Sequence, residues 1–213
     1  MRLILASKSP ARLTTLRRAG VMPEVIVSDV DEDAIPITDT RALALELARL
    51  KAEAVAERLS PSEDVIVVGC DTVLDFDGKP RGKPGTPEAA ERLWRRLRRT
   101  SAALTTGHHV IVRVGGDERV ASRVAETIVH FADLSDEEIA AYAATGEPEK
   151  VAGGFTIDGM GGPFITGIEG DHHNVVGISL PLLRMMLADL GIPWHTLWAS
   201  GGALTRLEPV EAD

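Results

Sequence analysis

The chain has 213 residues, of which 44% are hydrophobic, enough for one large domain or two small lobes with a sizeable core. Its 23 basic and 32 acidic residues give a formal net charge of −9, which argues against a general nucleic-acid surface and leaves room only for a local basic pocket. The single cysteine, Cys70, excludes an internal disulfide and fits a reducing, cytoplasmic setting. The first residues hold too short an apolar run for a signal peptide, and no segment approaches the ~20 apolar residues of a membrane span.

In chain order, residues 3–6 (Leu-Ile-Leu-Ala) read as a short buried strand. Ser9 is a good N-cap and Pro10 suits the first position of a helix that Gly20 ends. Residues 25–27 read as a second strand, leading into the acidic loop 29–33. A long Ala- and Leu-rich helix follows over 40–59, with Leu43, Leu47, Leu50 and Ala54 at helical spacing. Within it Lys51 stands among apolar neighbours, where a lysine usually extends its ammonium to water.

Residues 65–68 (Val-Ile-Val-Val) read as a strand covered on both faces, and 73–76 as its continuation past a bend. Asp71 stands where the apolar run stops. A carboxylate there is costly unless paired, hydrogen-bonded or bound to a cation, and ligands gather where the strands of open α/β sheets end. Cys70 beside it reads as a small core hydrophobe. Asp77-Gly78 is a hairpin turn, and Thr86-Pro87 opens a helix running to about Arg99. Its arginines, Arg92, Arg95, Arg96, Arg98 and Arg99, read as a solvated face at the helix end where the dipole favours cations.

Residues 110–114 and 124–131 alternate as antiparallel strands around Gly115-Gly116-Asp117. Ser135 and Glu138 form a capping box for a helix that stops at Gly146. Residues 153–177 are rich in glycine with short apolar pieces and read as loops. A helix over 179–190 follows, then a candidate last strand over 195–198. Residues 1–205 read as a single domain of two lobes and 206–213 as an acidic tail.

Several clusters carry chemistry. Ser7-Lys8-Ser9-Pro10-Ala11-Arg12 lies where a strand feeds a helix, so free N–H groups, two hydroxyls and two cations would meet an anion. Gly82-Lys83-Pro84 is not a P-loop, since Asp77 and Pro84 occupy positions that need glycine and a hydroxyl residue, yet it holds a lysine on a rigid turn. Lys51, Lys83 and Arg12 together would match a triphosphate. Gly159-Met160-Gly161-Gly162-Pro163-Phe164 fails the dinucleotide fingerprint at Phe164. Asp31, Glu32 and Asp71 are hard oxygen ligands suited to Mg2+ or Mn2+. The His108-His109 and His172-His173 pairs argue against zinc: neighbours on a strand face opposite ways, and no partner has zinc spacing.

In this order the motifs resemble the Maf family of nucleoside triphosphate pyrophosphatases. The resemblance covers residues 3–190 and adds Val30-Asp31-Glu32, Ala48-Arg49-Leu50-Lys51-Ala52, Gly69-Cys70-Asp71-Thr72-Val73, Thr145-Gly146-Glu147-Pro148, Ala152-Gly153-Gly154-Phe155 and Asn174-Val175-Val176-Gly177. It implies an elongated mixed-sheet α/β fold, similar to the inosine-triphosphate pyrophosphatases, with a cleft between two lobes. It implies hydrolysis of a nucleoside triphosphate between the α and β phosphates, a divalent cation, Mg2+ or Mn2+, and a homodimer. Several family members are linked to septum formation or cell-division arrest. Carried onto this chain, the family's proton acceptor is Asp71, the acidic residue of its Asp-Glu motif is Glu32, its arginine is Arg12 and its two lysines are Lys51 and Lys83. With those assignments, Asp71, Lys51 and Lys83 are the catalytic residues, and Asp71 and Glu32 hold the metal. Ser7, Ser9, Arg12, Thr72 and Asp158 bind substrate.

Three positions depart from the family pattern: Ala11, Val151 and Asp158. The positions of Ala11, Thr72 and Asp158 are linked in the family to the choice of base, and this combination matches neither its pyrimidine nor its 7-methylguanosine branch. Asp158, an acceptor only, should favour a base edge rich in N–H donors, guanine or cytosine over thymine or uracil. Two other readings stay open: a nucleotide-binding regulator of division without significant catalysis, and, less supported, a sugar-nucleotide transferase.

Overall fold

The structure is a computed structural model, and it describes residues 1–32 and 35–198. Asp33 of the acidic loop and the tail 206–213 lie outside the described residues. One seven-stranded mixed sheet organises the described residues. Strand β1 (Arg2–Leu5) feeds helix α1 (Pro10–Arg18), and a two-residue strand, β2 (Glu24–Val25), pairs parallel to β1. Helix α2 (Thr40–Ala56) precedes the long strand β3 (Val65–Phe76), which pairs parallel to β1. A hairpin leads to β4 (Lys79–Arg81) and then helix α3 (Pro87–Leu97). Strands β5 (Ser101–Val114) and β6 (Asp117–Phe131) form a long antiparallel pair, and β5 also pairs antiparallel with β3. Helix α4 (Asp136–Ala144), edge strand β7 (Ile165–Glu169), a short helix α5 (His172–Val176) and helix α6 (Leu180–Asp189) complete the order. The sheet runs β2-β1-β3-β5-β6-β7, with β4 on the far part of β3.

Local chemistry sets most boundaries. Ser9, Thr86, Ser135 and Ser179 each cap a helix through the side-chain oxygen, and Ser135 with Glu138 completes the reciprocal capping box. Asp77 (φ 55°) and Gly78 (φ 67°) take the left-handed conformations of a tight hairpin turn. The arginines in and just after α3 make surface ion pairs, Arg95 with Glu91, Arg96 with Asp77 and Arg98 with Asp136.

The structure departs from the sequence reading at several places, among them β5 and β6, which run well beyond the 110–114 and 124–131 read as strands. Residues 65–76 form one unbroken strand, because β5 pairs along it from Val65 to Asp75; Asp71 is therefore inside a strand, not at its end. The apolar run stops for a different reason. β1 pairs with β3 only as far as Leu5 opposite Val68, and β4 takes up that side only from Leu74, so between those points β3 has no strand neighbour there and borders open space. Residues 195–198 are not a strand: Trp194–Leu197 form a 3-10 turn, and Trp198 makes only an isolated bridge to Val21. The second strand is shorter than read. The glycine-rich stretch contains β7 and α5, whose few residues give no readable period.

Among the described residues, three apolar clusters hold the sheet. One, with Leu5, Leu16, Ile66, Val68, Cys70, Val110, Leu183 and Met186, covers one face near β1. Another, with Ile4, Ala52, Val55, Val65, Val67 and Ile111, packs α2 on the other face. The third, with Leu74, Trp94, Leu104, Phe131, Ile139, Tyr142 and Phe155, joins α3 and α4 to the far half of the strands. Cys70 belongs to the first and Leu74 to the third, so Asp71 and Thr72 lie where one core hands over to the other. Two glycines let α2 press on the sheet there. A Cβ at Gly69 would stand 2.2 Å from the Ala48 carbonyl oxygen, and one at Gly107 would stand 2.1 Å from that of Ala44. Gly107 pairs directly with Asp71.

Candidate active site

The space beyond the end of β1 is a cavity of about 1060 Å3. Its walls include the start of α1, the acidic loop, Leu47 and Lys51 of α2, Asp71 and Thr72 of β3, Lys83, and residues 150–152 and 155–158. Every residue singled out for chemistry in the sequence, Ser7, Ser9, Arg12, Glu32, Lys51, Asp71, Thr72, Lys83 and Asp158, lines this one cavity.

Its centre is ionic. Lys51 shares the buried face of α2 with Ala44, Leu47, Ala48, Ala52 and Val55. Its ammonium does not reach bulk water; it meets Asp71 Oδ1 at 2.5 Å and Glu32 Oε1 at 2.7 Å. The Lys51 and Asp71 side chains are 8% and 9% exposed, against 40% for Glu32. This difference drives the two carboxyls apart. Burial raises Asp71 above the ordinary aspartate range, and the nearby charges of Lys51 and Arg12 only partly offset it. Burial also acts on Glu32, but the hydrogen bond and charge of Lys51, with Lys83 and Arg12 beyond, hold it below the usual range. The neighbouring Cys70 thiol is fully buried and pushed up to about 11, as expected of a core residue and not a nucleophile.

Arg12 is buried and held at three points. Its Nε donates to the Gly177 carbonyl (2.7 Å), Nη1 to Ser7 Oγ (3.0 Å) and Nη2 to Thr72 Oγ1 (2.9 Å). Ser7 Oγ also accepts the Ser9 N–H, and Ser9 Oγ accepts the Arg12 N–H at the helix start. Ser7, Ser9 and Thr72 thus fix the arginine and the first turn of α1. Thr72 and Thr106 share a further hydrogen bond at 3.0 Å. Lys83 and Lys8 are exposed on the cavity wall, and the Gly82 carbonyl beside Lys83 accepts the N–H of Gly153, tying that turn to the 150–158 wall. Asp158 is exposed on that wall.

The sequence reading did not single out Lys150, which also lines the cavity, nor the carboxylate of Glu147, which binds the turn carrying Asp158. The only signal for Glu147 is its place in Thr145-Gly146-Glu147-Pro148. Strand alternation separates one histidine pair but not the other. His172 and His173 open α5 with rings 3.7 Å apart, and with Asp171 their ligand atoms lie within 4.8 Å of one another. Nδ1 of His173 is already engaged by Asp171 Oδ1 at 3.0 Å. His108 and His109 do lie on a strand, β5, and point apart.

Residues 2–190 match the family described as Maf-like protein. The chain belongs to the Maf family. Among curated relatives, the nucleoside triphosphate pyrophosphatase of Cutibacterium acnes is 52% identical over 95% of this chain and 98% of its own. That of Salinispora tropica is 53% identical over 94% of this chain and 89% of its own, and that of Streptomyces coelicolor 52% over 93% and 95%. A solved structure, that of the Staphylococcus aureus Ham1 protein, aligns with 62% of this chain and 73% of that chain at 19% identity and a TM-score of 0.40. As a Maf chain, this protein places the family's sequence motifs around a single cavity on a mixed α/β sheet.

Proposed function

We infer that this chain is a nucleoside triphosphate pyrophosphatase, a hydrolase that converts a nucleoside triphosphate and water to the monophosphate and pyrophosphate. The observation that carries the reading is the convergence of Asp71, Glu32 and Lys51 in a cavity that also presents Arg12 and Lys83. Carboxylates and cations meet there in the combination that phosphoanhydride hydrolysis needs: a proton acceptor and fixed positive charge.

Asp71 is the general base. Burial makes it a stronger proton acceptor than an ordinary aspartate, and Lys51 holds one of its oxygens in place. It takes a proton as water attacks the α phosphorus. The bond from that phosphorus to the oxygen bridging the β phosphate breaks, and the electron pair leaves with pyrophosphate. Arg12, fixed before substrate arrives, and Lys83 neutralise the leaving group. The N–H groups at the start of α1 add to that field. No helix among the described residues is long and apolar enough to cross a membrane, and the proposed partner is the nucleotide in this cavity.

A divalent cation fits these residues. One oxygen each of Glu32 and Asp71 lies within 2.7 Å of a single atom, Lys51 Nζ, so the two carboxylates already converge on one positive charge. An all-oxygen donor set of that kind suits Mg2+ or Mn2+. When bound there, such an ion supplies charge neutralisation at the phosphates and acidifies the attacking water.

The reading is tested by pyrophosphate release from a panel of ribo- and deoxyribonucleoside triphosphates with Mg2+ or Mn2+. Asp71→Asn should fold and lose at least about a hundredfold in turnover, the usual range for a general base. Near-native turnover in that variant removes Asp71 from the role. In the same panel Asp158 favours bases with N–H donors, and a clear preference for dTTP and UTP overturns that part of the reading.

A further inference from the structure

The Glu147 carboxylate is a hub. Its Oε1 accepts from the Tyr142 hydroxyl (2.8 Å), the Thr156 hydroxyl (2.6 Å) and the Gly161 N–H (3.1 Å), while Oε2 accepts from the Met160 N–H (3.1 Å). Tyr142 also accepts the Thr156 N–H at 3.4 Å. Tyr142 comes from the buried face of α4, so one carboxylate fastens the turn 156–161 to a helix in the core. The wrapping leaves no space for side chains. A Cβ at Gly159 would stand 2.6 Å from Glu147 Oε2, and one at Gly161 would stand 2.5 Å from the Tyr142 oxygen. Burial would raise Glu147, yet the donors around it hold it below the usual carboxylate range, so it remains the ionised acceptor.

The turn's first three residues, Thr156, Ile157 and Asp158, line the cavity. They carry no cation, whereas Arg12, Lys51 and Lys83 lie on other parts of its wall. A triphosphate would go to the cations and leave the sugar and base to this turn.

We propose that Glu147 is a positioning residue for the nucleoside half of the substrate: it never touches the nucleotide but holds Thr156, Ile157 and Asp158 in one arrangement against it. The proposal rests on the nucleotide reading of the cavity. Four donors on one carboxylate make the arrangement specific to Glu. In Glu147→Gln one oxygen becomes an NH2 that cannot accept, so a donor of the turn loses its partner.

The test compares two ligands of wild type and Glu147→Gln, a non-hydrolysable α,β-methylene nucleoside triphosphate and inorganic tripolyphosphate, by calorimetry with Mg2+ present. Loss of one hydrogen bond to a charged group corresponds to a drop of about tenfold or more in affinity for the nucleotide. Affinity for tripolyphosphate, which has no nucleoside, should be unchanged. In turnover, KM should rise by the same factor with kcat within about threefold, and discrimination between bases should narrow. Equal nucleotide affinity in variant and wild type overturns the proposal. So does a parallel loss for both ligands, which marks a general distortion. Thr156→Val, which keeps the shape and removes one donor to Glu147 together with a long (3.4 Å) acceptor of the Gly161 N–H, should shift nucleotide affinity the same way by less. If Glu147→Gln does not fold, an unchanged affinity in Thr156→Val overturns the proposal. Wild type that binds the nucleotide analogue but releases no pyrophosphate from any triphosphate sinks the catalytic reading and leaves this comparison intact.

Discussion

Replacing Lys51 with methionine isolates the electrostatics of the site. Methionine keeps most of the apolar stem on the buried face of α2 and removes the charge that Asp71 and Glu32 share. Glu32, 40% exposed, can turn to solvent; Asp71, 9% exposed, cannot. Removing one partner of a buried pair costs about 3–5 kcal/mol when the other charge stays. Asp71 has an alternative, to take a proton. For a carboxyl with an unfolded pKa of ~3.9 that costs about 4 kcal/mol at pH 7 and about 1.5 kcal/mol at pH 5. The variant should therefore lose up to about 4 kcal/mol at pH 7, or about 8–16 °C in Tm for a chain of this size. The sign follows from linkage. A carboxyl whose folded pKa is raised binds more protons folded than unfolded, so stability falls as pH rises through that window and returns on acidification. Urea midpoints at pH 5, 6 and 7 in EDTA would measure this, with Lys51→Met/Asp71→Asn as the control whose loss should be smaller and flat with pH. A loss under about 1 kcal/mol at pH 7, or one that does not shrink toward pH 5, would refute the idea that Lys51 holds a buried charge.

Two further predictions concern the scaffold under the site. His108 is buried, its Nδ1–H donating to the Thr106 carbonyl (3.1 Å) and its Nε2 accepting the Ser179 N–H (2.9 Å), so the ring is neutral; burial lowers its pKa to about 4. The unfolded ring binds a proton near pH 6.5 and the folded one does not, so stability should drop by about 2 kcal/mol between pH 6.5 and pH 5. His108→Gln, which keeps an acceptor without a titrating ring, should flatten that limb in urea titrations. Gly107→Ala would put a methyl 2.1 Å from the Ala44 carbonyl oxygen and force α2 off the sheet. It should cost about 1–3 kcal/mol or more and lower turnover beyond what a stability loss alone gives, because α2 carries Lys51.

The helix starts at Ser9-Pro10, Thr86-Pro87 and Ser135, the Asp77-Gly78 turn and the buried strand over 65–68 were all legible, because a cap, a turn or a covered strand is decided by residues within a few positions of one another. The candidate residues named from the order of their motifs all line one cavity. Their relations were not legible. Lys51 read as a cation for a triphosphate on a helix where lysines usually reach water, and nothing in the helix shows that two glycines on neighbouring strands will let it press against a buried aspartate. Thr72 read as a substrate contact, and in the fold its hydroxyl also supports Arg12, 60 residues away.

Asp71 shows the division most clearly. Local sequence determined that a costly carboxylate follows an apolar strand. Tertiary structure decided that β3 continues past it, that β1 stops short and opens a cavity there, and that Lys51 and Glu32 close on it. The same holds for Glu147, whose four donors come from Tyr142 and from a turn up to 14 residues away. Short-range pattern reflects backbone conformation and the need to bury apolar area, both fixed by neighbours in the chain. The convergence of distant charges depends on how closely helix and sheet can approach, and only the packed structure sets that distance.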